Sequence, residues 1–186
     1  MITKKKSGFT LVELLVVISI ISLLSSVVLS ALSSARQKSR VARRLSDLHQ
    51  IQIALENYYT NNGSYPATNW HTQCNYFGAG TAVANNLVIP GLVPTYMPSF
   101  PIDPSMDVTN SQNCYFYISY WNGTSFDGTG YKLVDFNLTD MTDTDVSKYA
   151  SFKDPARNGR DLTICPGSPV DGTRAMAIWT PNDTCQ

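Results

Sequence analysis

Residues 8–32 read GFTLVELLVVISIISLLSSVVLSAL, and the organisation of the chain follows from what that stretch requires. From Phe9 to Leu32 there is no glycine or proline, and Glu13 is the single charge. A helix over this span rises about 36 Å, enough to cross a hydrocarbon core of about 30 Å. Lys4, Lys5 and Lys6 precede it, which predicts a cytoplasmic N-terminus. Glu13 is the anomaly. A carboxylate on a membrane helix costs roughly 3 kcal/mol near the bilayer centre and less near its edge, so this position predicts a partner.

Two ordinary readings fall short. Ser33-Ser34-Ala35 offers a small-residue cleavage site for a secretory signal, but the apolar run exceeds the ~7–15 residues such signals use, and it carries an acid. A plain signal anchor fits the length and leaves Glu13 unexplained. The string Lys4-Lys5-Lys6-Ser7-Gly8-Phe9-Thr10-Leu11-Val12-Glu13 resembles the class III signal of bacterial type IV pilins and type II secretion pseudopilins. That signal combines a short basic leader, Gly, Phe, an acid at the fifth position after the Gly, and an apolar helix. The resemblance implies that a prepilin peptidase cuts between Gly8 and Phe9, methylates the new amine of Phe9, and leaves the helix in place. It also implies a partner for Glu13, the N-terminal ammonium of a neighbouring subunit. In an apolar filament core the two charges are costly apart and compensate each other together.

The helical pattern continues past the apolar run, with no Gly or Pro before Gly63. Val41, Leu45, Leu48, Ile51, Leu55 and Tyr58 step by three and four and form one apolar face. A single helix from Phe9 to about Tyr59 would be roughly 75 Å long. Arg40, Arg43, Arg44, Asp47 and Gln50 are expected on the other faces. With Arg36 and Lys38, the arginines read as a solvated surface near lipid headgroups; pairing between subunits is the alternative. Ser19, Ser22, Ser26, Ser30 and Ser33 form a small-residue stripe suited to close helix approach, or simply back-bond to their own helix. Asn61-Asn62-Gly63 predicts the helix stop. The expected boundaries are a leader at 1–8, a transmembrane or filament-core half at 9–35, an amphipathic half at 36–62 and a globular head at 63–186.

Residues 64 to about 113 read as irregular, with Trp70, Tyr76 and Phe77 as buried anchors. Tyr96-Met97-Pro98-Ser99-Phe100-Pro101-Ile102-Asp103-Pro104 is too proline-rich for a helix or central strand. Together with Tyr58-Tyr59 and Asn62-Gly63-Ser64-Tyr65-Pro66, it resembles loop landmarks of major pseudopilins and related pilins. Cys114 to Trp121 predicts a strand, Asn122-Gly123 and Asp127-Gly128 a turn region, and Tyr131 to Leu138 a second strand. The apolar face of that second strand (Val134, Phe136 and Leu138) is expected against the helix. Ala175 to Thr180 predicts a third strand. The fold class is α+β: a long N-terminal helix packed on a small antiparallel sheet.

Four cysteines suggest two disulfides with three open connectivities. Pilins commonly staple the C-terminal region, and this resemblance favours Cys165–Cys185, leaving Cys74–Cys114. Closing the former loop is worth roughly 3 kcal/mol in the chain-entropy view.

The composition argues against several functions. The chain has 14 basic and 14 acidic residues, and loss of the first eight would remove three lysines and leave a net charge of −3. No nucleic-acid partner is predicted. No catalytic constellation is visible, and no enzyme is predicted. His49 reads as helix surface and His71 as loop. Asp135, Asp140, Asp143 and Asp145 could supply oxygen ligands to calcium, which some major pseudopilins bind in a head-domain loop. Their spacing matches no calcium motif, so solvated loop acids are the favoured reading and no cofactor is expected. Asn62, Asn122, Asn137 and Asn182 begin Asn-x-Ser/Thr triplets, which are common by chance.

The resemblance implies a filament subunit held first in inner-membrane lipid, then polymerised with copies of itself and related pilins. An assembly platform with a cytoplasmic ATPase would drive that step, and the product would be a surface pilus. The alternatives are a periplasmic pseudopilus of a type II secretion system, or a minor pilin of a DNA-uptake or adhesion pilus. Lys132, Lys148 and Lys153 are too scattered to favour the last.

Overall fold

The computed structural model describes residues 8–69, 71–74, 81–109, 112–154 and 174–180. The element order is α1 (Leu11–Asn62), β1 (His71–Thr72), β2 (Thr81–Ala82), a 3-10 turn (Asn85–Leu87), β3 (Cys114–Trp121), β4 (Phe126–Phe136), α2 (Asp143–Ser147), a second 3-10 turn (Ala150–Phe152) and β5 (Ala175–Trp179). Two compact units are present, Met1–Ser39 and Arg40–Gln186.

In the first unit every described residue from Gly8 to Ala35 is exposed, and α1 is long and apolar enough here to cross a membrane. The hydroxyls of Ser19 and Ser22 donate to the carbonyls of Leu15 (2.8 Å) and Ile18 (2.7 Å), and that of Ser26 donates to Leu23 O (2.8 Å). Each hydroxyl is thus satisfied within its own helix, as an apolar solvent demands. The small side chains remain on the outside.

In the second unit α1 becomes amphipathic. Val41, Leu48, Ile51, Ala54 and Leu55 are buried in one cluster with Tyr115, Tyr117, Tyr131, Leu133, Met176 and Ile178 of the sheet. The helix ends at the expected stop, where Gly63 takes φ +74° and its N–H donates to Tyr59 O (2.8 Å).

The sheet order is β2-β1-β3-β4-β5. β1 pairs parallel with β2, and every other pairing is antiparallel. Both sheet faces are covered, which corrects the expected orientation of β4. Tyr131, Leu133 and Asp135 face α1, while Val134 and Phe136 join Phe116, Ala175, Ala177, Cys74 and Cys114 in a second cluster. Leu138, past the strand end, returns to the helix-side cluster. An acid can lie on the helix side because Arg44 of α1 meets it there.

Three further expectations need adjustment. His71 is in strand β1, not a loop. Asp127-Gly128 is inside β4 instead of the turn, which Asn122 closes by accepting from the N–H groups of Thr124 and Ser125 (both 2.9 Å). The capped helix α2 was not foreseen, although Thr142-x-x-Asp145 is a capping box in the sequence. The described residues between 64 and 109 otherwise consist of turns and minimal strands, as their composition suggests. Trp70, Tyr76 and Phe77 lie outside the described residues.

Gly128 ties the helix exit to the hairpin. Its carbonyl accepts from Tyr65 N (2.8 Å), its φ is +70°, and a Cβ there would lie 2.2 Å from Tyr65 O. Gly123 also has positive φ (+92°), with nothing within 4 Å of its would-be Cβ. Gly128→Ala should therefore lose more than about 2 kcal/mol, and Gly123→Ala only about 1 kcal/mol. Thermal unfolding of the two variants side by side checks the ranking.

Candidate functional site

The N-terminal segment places the predicted processing position on an open surface. Gly8 has nothing within 4 Å of a would-be Cβ, and Phe9 is 82% exposed. Glu13 sits in the first turn of α1. One of its oxygens accepts from Thr10 N (2.8 Å) and Thr10 Oγ1 (2.7 Å), while Thr10 Oγ1 accepts from Glu13 N (3.2 Å). This is a reciprocal capping box. In the single chain, then, the acid is satisfied by its own helix start. Thr10 was not singled out from the sequence, although Thr-x-x-Glu carries the signal.

The second charged constellation lies beneath α1 in the head, where sequence reasoning expected solvent. Arg44 is fully buried. Its Nε donates to Asp103 Oδ2 (2.5 Å) and lies 3.2 Å from Asp135 Oδ2. Its Nη2 reaches Asp103 Oδ1 (3.1 Å), Ser105 Oγ (2.7 Å) and Asp140 Oδ1 (3.0 Å). Arg40 donates to Asp140 Oδ2 at 2.6 Å. Tyr115 OH donates to Asp47 Oδ2 (3.2 Å), and Arg43 lies 3.8 Å from the same carboxylate. Only Arg43 of these arginines keeps a mostly exposed side chain (60%).

The charge environment shifts several groups. Burial alone would raise the Asp140 carboxyl, but Arg44 and then Arg40 outweigh it and hold it below the usual carboxylate range. Burial pushes Asp47 upward, and the hydrogen bond from Tyr115 and the charge of Arg43 offset this only in part. Lys132, one of the three scattered lysines, is fully buried on the other sheet face with its Nζ 2.9 Å from Asp154 Oδ1.

The four acids weighed as calcium ligands do not converge. Asp135 and Asp140 belong to the Arg44 cluster. Asp143 accepts from Arg174 Nε (2.8 Å), and Asp145 caps α2 and accepts from Lys148 Nζ (2.9 Å). Among the described residues no group of three His, Cys, Asp or Glu side chains is arranged to hold a metal ion. His49 lies on the exposed surface of α1. Cys74 and Cys114 are disulfide-bonded with Cα atoms 6.2 Å apart; Cys165 and Cys185 lie outside the described residues.

The long apolar helix and the α+β head stapled by a disulfide fit a pilin-like α+β fold. Comparison with known proteins agrees. Residues 3–29 match the family described as "Prokaryotic N-terminal methylation motif". The chain is 40% identical over 67 residues to the type II secretion system core protein G of Escherichia coli (strain K12), covering 36% of this chain and 46% of that protein. It is 37% identical over 65 residues to the core protein G of Aeromonas hydrophila (35% and 46% covered). Against that of Pseudomonas aeruginosa it is 34% identical over 65 residues (35% and 46% covered). The chain spans less than half the length of these curated relatives, and no solved structure matches it significantly. Its similarity to these relatives covers about a third of the chain, and the methylation motif occupies residues 3–29.

Removing Arg44 would strand buried carboxylates, whereas removing Arg43 uncovers only a surface pair. Arg44→Met should cost about 3–5 kcal/mol and Arg43→Met less than about 1 kcal/mol. Denaturant unfolding of the detergent-solubilised chain measures both.

Proposed function

We propose that the chain is a structural subunit of a type IV pilus-like filament, processed at Gly8/Phe9 and polymerised through the exposed apolar half of α1. The observation that carries this is Glu13: a single acid in an otherwise uncharged, lipid-length helix, immediately behind a basic leader with Gly-Phe at its end. Cleavage would create an ammonium on Phe9, four residues before the acid. In one chain Thr10 hydrogen-bonds Glu13 but leaves its charge uncancelled, so the amine of an adjacent copy is the group that can neutralise it. Two charges that are costly in lipid then neutralise each other only when copies stack, which links assembly to burial of the apolar surface. Before assembly the helix would anchor the subunit in the inner membrane, N-terminus inward. A prepilin peptidase, an assembly platform and its cytoplasmic ATPase would be the partners; the role expected of the chain is structural, not enzymatic.

A second reading has its own support. The relatives are named as core proteins of type II secretion systems, which favours a periplasmic pseudopilus as the product. Both readings use the same chemistry at Glu13 and differ in where the filament ends.

Gly8→Ala should leave unprocessed precursor on a gel. Glu13→Ala should leave processed subunit in the membrane and reduce filaments at least tenfold, counted by immuno-electron microscopy. Filaments beyond the cell surface support the pilus, and filaments confined to the periplasm support the pseudopilus. Wild-type filament numbers from Glu13→Ala would refute the pairing role.

A further inference from the structure

The head holds more carboxyls beneath α1 than it has cations to match. The groups facing one another there are Arg40, Arg43, Arg44 and Asp47 from α1, Asp103 from the proline-rich segment, the Tyr115 hydroxyl from β3, Asp135 from β4 and Asp140 from the turn after it. Arg43 and Asp47 offset each other. Two guanidiniums, Arg40 and Arg44, then face three carboxyls, Asp103, Asp135 and Asp140. Asp103 takes two hydrogen bonds from Arg44, and Asp140 meets both arginines. Asp135 is the poorest served. It is fully buried, shares Arg44 Nε with the closer Asp103, and receives no hydrogen bond at either oxygen.

We infer that Asp135 keeps its proton in the folded head, and that this proton makes the Arg44 cluster a pH-set latch holding α1 to the sheet. With one proton the count closes: two cations, two carboxylates and a neutral acid able to donate to Asp103. Without it, an uncompensated anion lies in the core, where a charge is far costlier than in water. Burial, and after it the charge of Asp103, pushes the Asp135 carboxyl well above the ordinary range, and Arg44 opposes this only in part.

The sign follows from linkage. A carboxyl whose folded pKa is raised gives its full stabilisation below the unfolded value of about 3.9, and loses it as pH rises through the folded value. Asp140 is shifted the other way and changes stability only below about pH 4. Asp47 shares the sign of Asp135, so a variant comparison is needed to separate them.

The test uses the full chain in detergent, as wild type and as Asp135→Asn, an isosteric replacement that fixes the neutral state. Thermal unfolding is followed by tryptophan fluorescence from pH 5 to 8.5. The wild-type midpoint should fall relative to that of Asp135→Asn by about 3 °C or more across this range. Infrared spectra at pH 6 should contain a protonated-carboxyl band in the wild type that is missing from Asp135→Asn. Parallel pH courses with identical carboxyl bands would overturn the inference. So would an Asp135→Asn chain that does not fold, or a rise in midpoint on adding calcium that depends on Asp135.

Discussion

A guanidinium can leave water only if carboxylates leave with it, and the head domain is arranged around that condition. Arg44 draws Asp103 from one segment, Asp135 from the central strand pair and Asp140 from the turn beyond it into one buried cluster. These groups are far apart in the sequence, so the cluster acts as a register device. Each element must reach the same side chain of α1, and a shift of one residue in β4 would turn Asp135 to the opposite face. Apolar packing of Leu48, Ile51 and Leu55 against Tyr115, Tyr117 and Leu133 supplies the bulk of the burial. It is less particular about position than a set of directional ion pairs.

The same helix meets two different solvents. Up to Leu32 its surface is aliphatic, with hydroxyls folded back onto its own carbonyls. From Val41 onward only one stripe is apolar, and that stripe is covered by the sheet. An uninterrupted α1 with its Gly delayed until position 63 satisfies both demands. Glu13 marks the one place where the lipid-like half breaks its own rule, and Thr10 supplies local compensation in the isolated chain.

Much of this was legible from residues alone. The aromatic run of β3, the helix stop at Gly63 and the extent of β5 follow from period and turn chemistry. The buried charges were misread because residue type was allowed to outrank position. Arg44 occupies the row Val41-Arg44-Leu48-Ile51-Leu55, whose spacing of three and four marks the inner face. Lys132 and Asp135 lie within a strand buried on both faces, a placement that needs partners. Those partners, Asp154 and Arg44, are fixed by tertiary approach and no local pattern announces them. The orientation of β4 was lost for the same reason: alternation tells which residues share a face, but not which face meets the helix.

The bond between Cys74 and Cys114 has a topological consequence. It closes the excursion that includes the short strand β2, the first 3-10 turn and the proline-rich segment into a ring of covalent atoms, spanning a sequence separation of 40. In the chain-entropy view such a ring withholds about 4 kcal/mol of freedom from the unfolded chain. A single protease nick within it would leave both new ends attached to one body. Within the ring Val88, Ile89, Leu92, Phe100 and Asp103 are buried, so the head can vary its surface only at the exposed positions between them without re-threading the sheet.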